Sequence, residues 1–541
     1  MTRTSEALPR AELAVALLIS GLVIVLNLQF STQAGPLWRD EADTVQFATR
    51  PTYAEVLNSL HLESTPALYP TLVRVWSAWS PGEQDSAMRA LGFSVATATV
   101  GAIWVTGWVL RAGPPLLALA LFGAHVATLQ TLGSVRPYGL GTLLIVLAFG
   151  AIGLLTSEPR RGPLLYALAV AILAVQTLYH NATLILAACV AGVAVAAVAR
   201  DRLAARAVVA TGAAAAVSLL LYVGAILGSR NWRSLNETDF DTRRLLVRSS
   251  GVLIEGNWRL AALWAAAAVL AVYGAIRVLR RSSSSEPAAP GRRVLYAALV
   301  IVCATAIYLG FLKLAGRDPQ AWQFVPLIGL VALALDVVLA GTLPLRWARL
   351  GVALLVTAVA FPVSMDRVSV RQTNVDLIAQ YLHTAAQRGD LIVVNPWYVG
   401  ISFNRYYRGP AEWMTLPPIE DHTIHRYDLL KLRMTSPEPL APLYRAILSA
   451  LESGHRVWLV GGLRFPREGQ LPPVLPPAPA APTGWSDGPY AITWALQVGH
   501  FVQTHAERLA VVGIPVGGPV NNFENMSLLV VEGWRRPGPA G

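Results

Sequence analysis

Long apolar runs alternate with short polar loops through the first two-thirds of the chain. Runs long enough to span lie near 12–30, 88–110, 115–133, 138–156, 163–180, 182–199, 206–228, 259–277, 293–312, 322–341 and 346–364. A bilayer's hydrocarbon core takes about 20 apolar residues in a helix. The pattern therefore predicts about eleven transmembrane helices. The stretch Pro66 to Trp79 is apolar but short, and Arg74 interrupts it. It predicts a helix lying in, or dipping into, the membrane interface.

After about residue 365 the period changes. Val375, Leu377, Ile378, Tyr381 and Leu382 recur at helical spacing, and Gly389 closes that segment. Asp390 to Asn395 reads as a buried strand. Leu443 to Leu451 reads as a helix stopped by Gly454, followed by a strand at Arg456 to Val460. Arg508 to Val512 and Met526 to Val531 read as two more short strands. Helix–glycine–strand alternation predicts a small α/β domain over 366–541, after a membrane domain over 1–365. Leu471 to Pro482 is proline-rich and reads as a surface or polyproline segment. Gly461-Gly462 follows a strand, but no GxGxxG completes a nucleotide fingerprint.

Composition agrees with a polytopic α-helical membrane protein bearing a polar annex. Mean hydropathy is +0.48, and charged residues are only 14% of the 541, against about 25% in soluble domains. The net charge of +11 does not imply nucleic acid, because the arginines crowd short loops. With the N-terminus inside, the inside loops hold Arg111, Arg160-Arg161, Arg200 to Arg206, Arg277 to Arg293, and Arg346 and Arg349. That is the positive-inside pattern. It predicts a cytoplasmic N-terminus, an odd number of spans and an extracytoplasmic C-terminal domain in a cell membrane. The Ser282–Ser285 run reads as a flexible cytoplasmic linker. Thr32-Gln33-Ala34 is a faint cleavage signal, but the run before it is long and reads as an uncleaved signal anchor. Cys189 and Cys303 lie inside apolar runs and form no zinc or redox motif.

The first predicted outer loop, 31–87, carries the densest charge. Arg39, Asp40, Glu41 and Asp43 follow Trp38 directly after the first span. Farther on comes His61-Leu62-Glu63-Ser64-Thr65-Pro66-Ala67-Leu68-Tyr69. Other polar residues fall at predicted outer ends: Arg136-Pro137-Tyr138, Tyr179-His180-Asn181, and Lys313, Arg317, Asp318 and Gln323. Each has a plainer reading. Asp40 reads as an N-cap with Glu41 and Asp43 in the first turn. Arg136 and Lys313 read as snorkelling, and His180 as a helix-end residue. Together, though, they are what a site needs to hold a phosphate while a carboxylate takes a hydroxyl proton.

Trp38-Arg39-Asp40-Glu41-Ala42 after the first span, His61-x-x-x-x-Pro66-x-Leu68-Tyr69, Arg136-x-Tyr138 and His180 resemble the GT-C superfamily. The resemblance is to bacterial proteins similar to protein O-mannosyltransferases and lipid A aminoarabinose transferases, and covers roughly residues 10–365. It implies a polytopic enzyme taking a sugar from a polyprenyl-phosphate carrier at the extracytoplasmic face. It implies Asp40 as catalytic base, with Glu41 supporting it or helping to hold a divalent ion. Arg39, His61, Glu63, Arg136, Tyr138, His180 and Arg317 are the implied substrate-binding residues. Two departures stand out. The prolines often consecutive after the family's histidine are replaced by Glu63-Ser64-Thr65-Pro66-Ala67. No lysine lies between Pro36 and Arg89, so Arg39, Arg50 or Arg74 must take the phosphate-holding role of the aminoarabinose branch's lysine.

The resulting expectation is an inverting transfer to a lipid, glycan or protein hydroxyl. No cofactor is called for. A divalent cation, Mg or Mn, is compatible, but no ligand spacing demands it. A transporter or flippase for a polar lipid is the alternative, and a non-catalytic anchor for the C-terminal domain is a third class. A transporter should bury ionisable groups in mid-membrane and often repeats internally. Here the spans read as mostly clean, and no repeat is detected.

Overall fold

A computed structural model describes residues 3–80, 84–229, 242–255, 257–282, 289–316, 319–342, 346–467, 469–479 and 486–535. The chain divides into two compact units. One comprises 1–33, 64–224 and 239–369; the other comprises 34–63, 225–238 and 370–541.

The first unit is a helical bundle. Among the described residues, 9 helices are long and apolar enough to cross a membrane. They are Leu8–Gln33, Asp85–Val109, Pro137–Leu155, Asn181–Val198, Arg202–Gly228, Trp258–Val278, Ala289–Ala315, Ala321–Ala340 and Arg346–Val368. The protein is a multi-pass membrane protein. Two of the expected spans differ. Arg161–Thr177 is an apolar helix of 17 residues. The run expected at 115–133 is broken into a π-helical turn, Ala118–Gly123, and a helix, Val126–Leu132. Non-helical backbone at such a depth must be satisfied by its surroundings. At the break, the Ala124 carbonyl accepts from Ser364 Oγ. Close packing rests on small residues: a Cβ on Gly92 would lie 2.1 Å from the Gly133 carbonyl oxygen. Leu68–Trp79 is the expected short amphipathic helix, with Val75 and Trp79 exposed.

One end of the bundle is tied by ions. Arg349 Nη2 lies 3.0 Å from Glu12 Oε1, and Nη1 lies 3.4 Å from Asp336 Oδ1. All three residues are buried, and Arg346 pairs with Glu12 as well. Arg111 and Arg293 share Glu158, and Arg292 meets Asp201 at 3.3 Å. Five of the arginines expected in inside loops thus pair with four acids.

In the second unit, strands β1 (Leu391–Val394), β2 (Glu412–Thr415), β3 (Val457–Val460), β4 (Ala506–Val512) and β5 (Leu528–Trp534) form one sheet in the order β2-β1-β3-β5-β4. The β2-β1-β3 part is parallel; β5 runs antiparallel to β3 and β4. β1 and β3 are buried at every position, as apolar runs in a covered parallel sheet must be. The four strands expected at 390–395, 456–460, 508–512 and 526–531 are present. β2 was not expected, because Glu412-Trp-Met-Thr415 neither alternates nor forms an apolar run. The helix Asp487–His505 was also missed; its Pro489 lies in the first turn, where proline is tolerated.

Residues 34–63 belong to this second unit. Gln372 N–H donates to the Ala34 carbonyl at 2.8 Å, and Tyr406 hydroxyl donates to the Leu37 carbonyl at 2.8 Å.

Candidate functional site

The acidic motif opens the helix Arg39–Ala48. Its N-cap is Trp38, in extended backbone, not Asp40 as the plainer sequence reading had it. Glu41 is fully buried, and its Oε2 accepts from Trp38 N–H at 3.4 Å. Only that half of a capping box forms, because indole has no acceptor to return.

Arg39 is held by the C-terminal part of the chain. Its backbone N–H donates to Glu524 Oε2 at 2.9 Å, and its Nη1 donates to the Phe523 carbonyl at 2.7 Å. Its guanidinium lies over the rings of Tyr398 and Trp38, 4.5 and 5.0 Å from their centroids. These contacts make it a scaffold for the motif. Glu524 is wholly buried and also accepts from Ser402 Oγ. Burial pushes its carboxyl up to about 7, against the pull of Arg39.

Asp40 and Asp43 sit one turn apart on that helix, and His425 meets both. Asp43 Oδ1 accepts from His425 backbone N–H at 2.7 Å and lies 3.2 Å from Nδ1. His425 Nε2 is 3.8 Å from Asp40 Oδ1, and Arg39 Nε lies 3.5 Å from the same oxygen. The imidazole stacks on Tyr427 and meets Trp397 edge-on. Burial raises the Tyr427 hydroxyl above its ordinary range, and the charges of Asp40 and Asp487 add to it. Trp397 and Tyr398 follow β1, and His425 lies on the chain after β2, so both come from the carboxyl ends of parallel strands. Ligands of open α/β sheets bind there.

His425 was missed in the sequence. The usable signal was density: Asp421-His422-Thr423-Ile424-His425-Arg426-Tyr427-Asp428 holds 2 of the chain's 9 histidines and three charged residues. With β2 unrecognised, nothing placed that stretch at a strand end. Asp43 has more to do than a first-turn acid: its side chain is 8% exposed and bonded to the loop.

His61 and Glu63 lie in the same unit, at a 3-10 turn. His61 Nδ1 donates to the Asn58 carbonyl at 2.9 Å, and Glu63 Oε1 is shielded from solvent.

The bundle carries its own cluster. Arg136 is the extended N-cap of Pro137–Leu155, as a residue before proline should be. Its guanidinium lies 4.7 Å from the Trp322 ring centroid and 5.0 Å from that of Tyr138. The Tyr138 ring stacks on His180, and His180 meets Tyr308 edge-on, both at 5.9 Å. His180 Nε2 is shielded from solvent and makes no hydrogen bond among the described residues. Arg136, Tyr138 and His180, distant in sequence, are therefore brought together, with Trp322 and Tyr308 added. Arg317 lies outside the described residues. Among the described residues, no three His, Cys, Asp or Glu side chains converge as metal ligands.

No family model and no curated protein matches this chain. Among solved structures, it is similar to ArnT from Cupriavidus metallidurans bound to undecaprenyl phosphate. That similarity has 13% identity and a TM-score of 0.48, covering 82% of this chain and 92% of ArnT. The apo state of ArnT gives 14% identity and a TM-score of 0.47, covering 85% and 93%. The Archaeoglobus fulgidus oligosaccharyltransferase, tethered to an acceptor peptide by a disulfide, gives 13% identity and a TM-score of 0.48, covering 83% of this chain and 69% of that one.

Proposed function

We propose that this protein is an inverting membrane glycosyltransferase of the GT-C type, moving a sugar from a polyprenyl-phosphate carrier to an acceptor hydroxyl at the extracytoplasmic face. The observation that carries it is the state of Asp40 inside the Trp38–Ala42 motif. Asp40 does not cap the helix, and its carboxylate is held between Arg39 and His425. Asp40 takes the acceptor's proton as its oxygen attacks the anomeric carbon. The leaving group is a phosphate, so donors and cations, not a general acid, stabilise it. Within the bundle, Arg136 has the charge suited to a phosphate, and His180 Nε2, shielded and without a hydrogen bond among the described residues, has capacity to offer a phosphate oxygen. Glu41 supports the motif from inside through Trp38. His61, Glu63 and Tyr138 are the remaining substrate-facing candidates.

Glu12, Asp336 and Arg349 are buried charges, a feature that transporters use along their pathways. They pair with one another and with Arg346 in the first turn of its helix, so they support a staple more than a pathway.

The test uses the full chain in lipid nanodiscs with a panel of undecaprenyl-phosphate-linked hexoses and pentoses as donors and a cell-envelope extract supplying lipid, glycan and protein hydroxyls as acceptors. The expected result is release of undecaprenyl phosphate from at least one, slowed at least about a hundredfold by Asp40→Asn. No release from any of them would sink the reading. Single cysteines at Ser157 and Thr423, with Cys189 and Cys303 replaced by Ala, should label from the cytoplasmic and opposite sides respectively.

A further inference from the structure

We propose that His425 takes up the proton that Asp40 removes from the acceptor hydroxyl, with Asp43 holding its ring for that purpose; this rests on the glycosyl-transfer reading above. The argument begins with Asp43. Its Oδ1 accepts from the His425 backbone N–H at 2.7 Å and faces Nδ1 at 3.2 Å. A carboxylate facing Nδ1 places the neutral ring's proton there and leaves the lone pair on Nε2. Nε2 lies near the second carboxylate, 3.8 Å from Asp40 Oδ1. That is too long for a direct hydrogen bond. One water or hydroxyl oxygen at ordinary hydrogen-bond distance from each would bridge the pair.

The ring is held on its other sides. It stacks on Tyr427 at 5.8 Å with planes 12° apart, and meets buried Trp397 edge-on at 6.1 Å. The loop beneath is stapled by Arg426, which donates to Asp421 at 2.7 Å and to both Asp428 oxygens at 2.9 and 2.7 Å. Side-chain exposure is 15% for His425, 16% for Asp40 and 8% for Asp43. A hydroxyl can reach the outer pair, while Asp43 is covered enough that its charge is little screened. Fastening the loop needs only the backbone N–H; it does not account for an imidazole set between two carboxylates.

The chemistry balances. The acceptor O–H bond breaks and its proton passes to Asp40. The acceptor oxygen bonds to the anomeric carbon as the carbon–oxygen bond to phosphate breaks, and the phosphate keeps that electron pair. Asp40 then passes the proton through the bridging oxygen to Nε2. The imidazolium lies between Asp43 and the restored Asp40 carboxylate, and its proton leaves to water. His425 acts through Asp40 and is a positioning residue with a proton-accepting part.

The test uses the full chain in nanodiscs with the same undecaprenyl-phosphate-linked panel. His425→Ala should lower kcat for undecaprenyl phosphate release by about tenfold or more, less than loss of the direct base, with donor KM little changed. Added imidazole should restore the Ala variant but not Asp40→Asn. His425→Gln, which keeps a polar side chain but accepts no proton, should melt normally and stay slow, and it serves as the control for misfolding. Unchanged kcat in both variants, or a slow Ala variant that imidazole leaves slow, would overturn the inference while the functional reading stood. No release by the wild type would overturn both.

Discussion

The backbone N–H of Arg39 donates to the carboxylate of Glu524 at 2.9 Å, across 485 positions of chain. Ser402 donates to the other oxygen of the same carboxylate, and Arg39 Nη1 holds the Phe523 carbonyl. One buried acid therefore fastens the start of the acidic motif to the segment before β5 and to the helix after β1.

Glu524 makes stability depend on pH. Its carboxyl titrates near 7 in the fold instead of 4.5. The folded state thus keeps a proton the unfolded chain gives up, and stability falls as pH rises from about 4.5 to about 7. The loss is about 3 kcal/mol at most. Glu524→Gln keeps an acceptor for Arg39 N–H and removes this slope. Melting temperatures of the full chain at pH 5, 6 and 7 check it; parallel curves for wild type and variant would refute it.

Asp40→Asn should fold normally and turn over at least about a hundredfold more slowly. Trp38 is the N-cap, so the change removes no capping bond. Transfer rates and melting curves on the same preparations decide the matter, and near-normal turnover would take Asp40 out of the mechanism.

Asp43 separates into two parts. Asp43→Ala leaves the His425 backbone N–H without its acceptor and should cost about 1–3 kcal/mol. Asp43→Asn keeps that bond and should recover most of the stability, yet it loses the charge facing the ring and should remain slow. If Asn restores rate along with stability, Asp43 is only a fastening.

Arg136→Lys should be nearly as harmful to donor use as Arg136→Ala. The guanidinium lies over Trp322 and Tyr138, a placement a compact ammonium does not reproduce. Binding of undecaprenyl phosphate, read by thermal shift, should weaken about tenfold or more in both. Unchanged affinity in the Ala variant would return Arg136 to snorkelling.

Arg349→Leu alone should destabilise the bundle by about 3–5 kcal/mol, because it strips the buried Asp336 of its arginine and leaves Glu12 with Arg346 alone. Replacing Glu12, Asp336 and Arg349 together by leucine should recover much of that. Melting in detergent tests it, and a single variant as stable as wild type would show that the acids are neutral in the fold.

The bundle was legible because spanning imposes its own rule: apolar length and arginine-rich loops suffice to find most helices. The break at Ala124-His125 was not, because it is satisfied by Ser364, a partner 240 residues away. The buried acids Glu12 and Asp336 were passed over for the same reason, since the arginines that neutralise them lie elsewhere in the chain. The strands β1 and β3 showed themselves as short apolar runs, while β2 is a four-residue edge held mainly by its neighbour.

At the candidate site the division is sharper. The sequence by itself determined which residue types are concentrated after the first span, and that Arg136, Tyr138 and His180 fall at helix ends, because charge density and hydropathy are local. Only the tertiary structure decided what each side chain faces. It placed residues 34–63 with the C-terminal unit, turned Arg39 into a fastening, took the N-cap role from Asp40, and brought His425 between Asp40 and Asp43. Apart from the N-cap at Trp38, which is local, those outcomes depend on contacts across more than 300 positions, and no local pattern encodes a distance between residues that far apart.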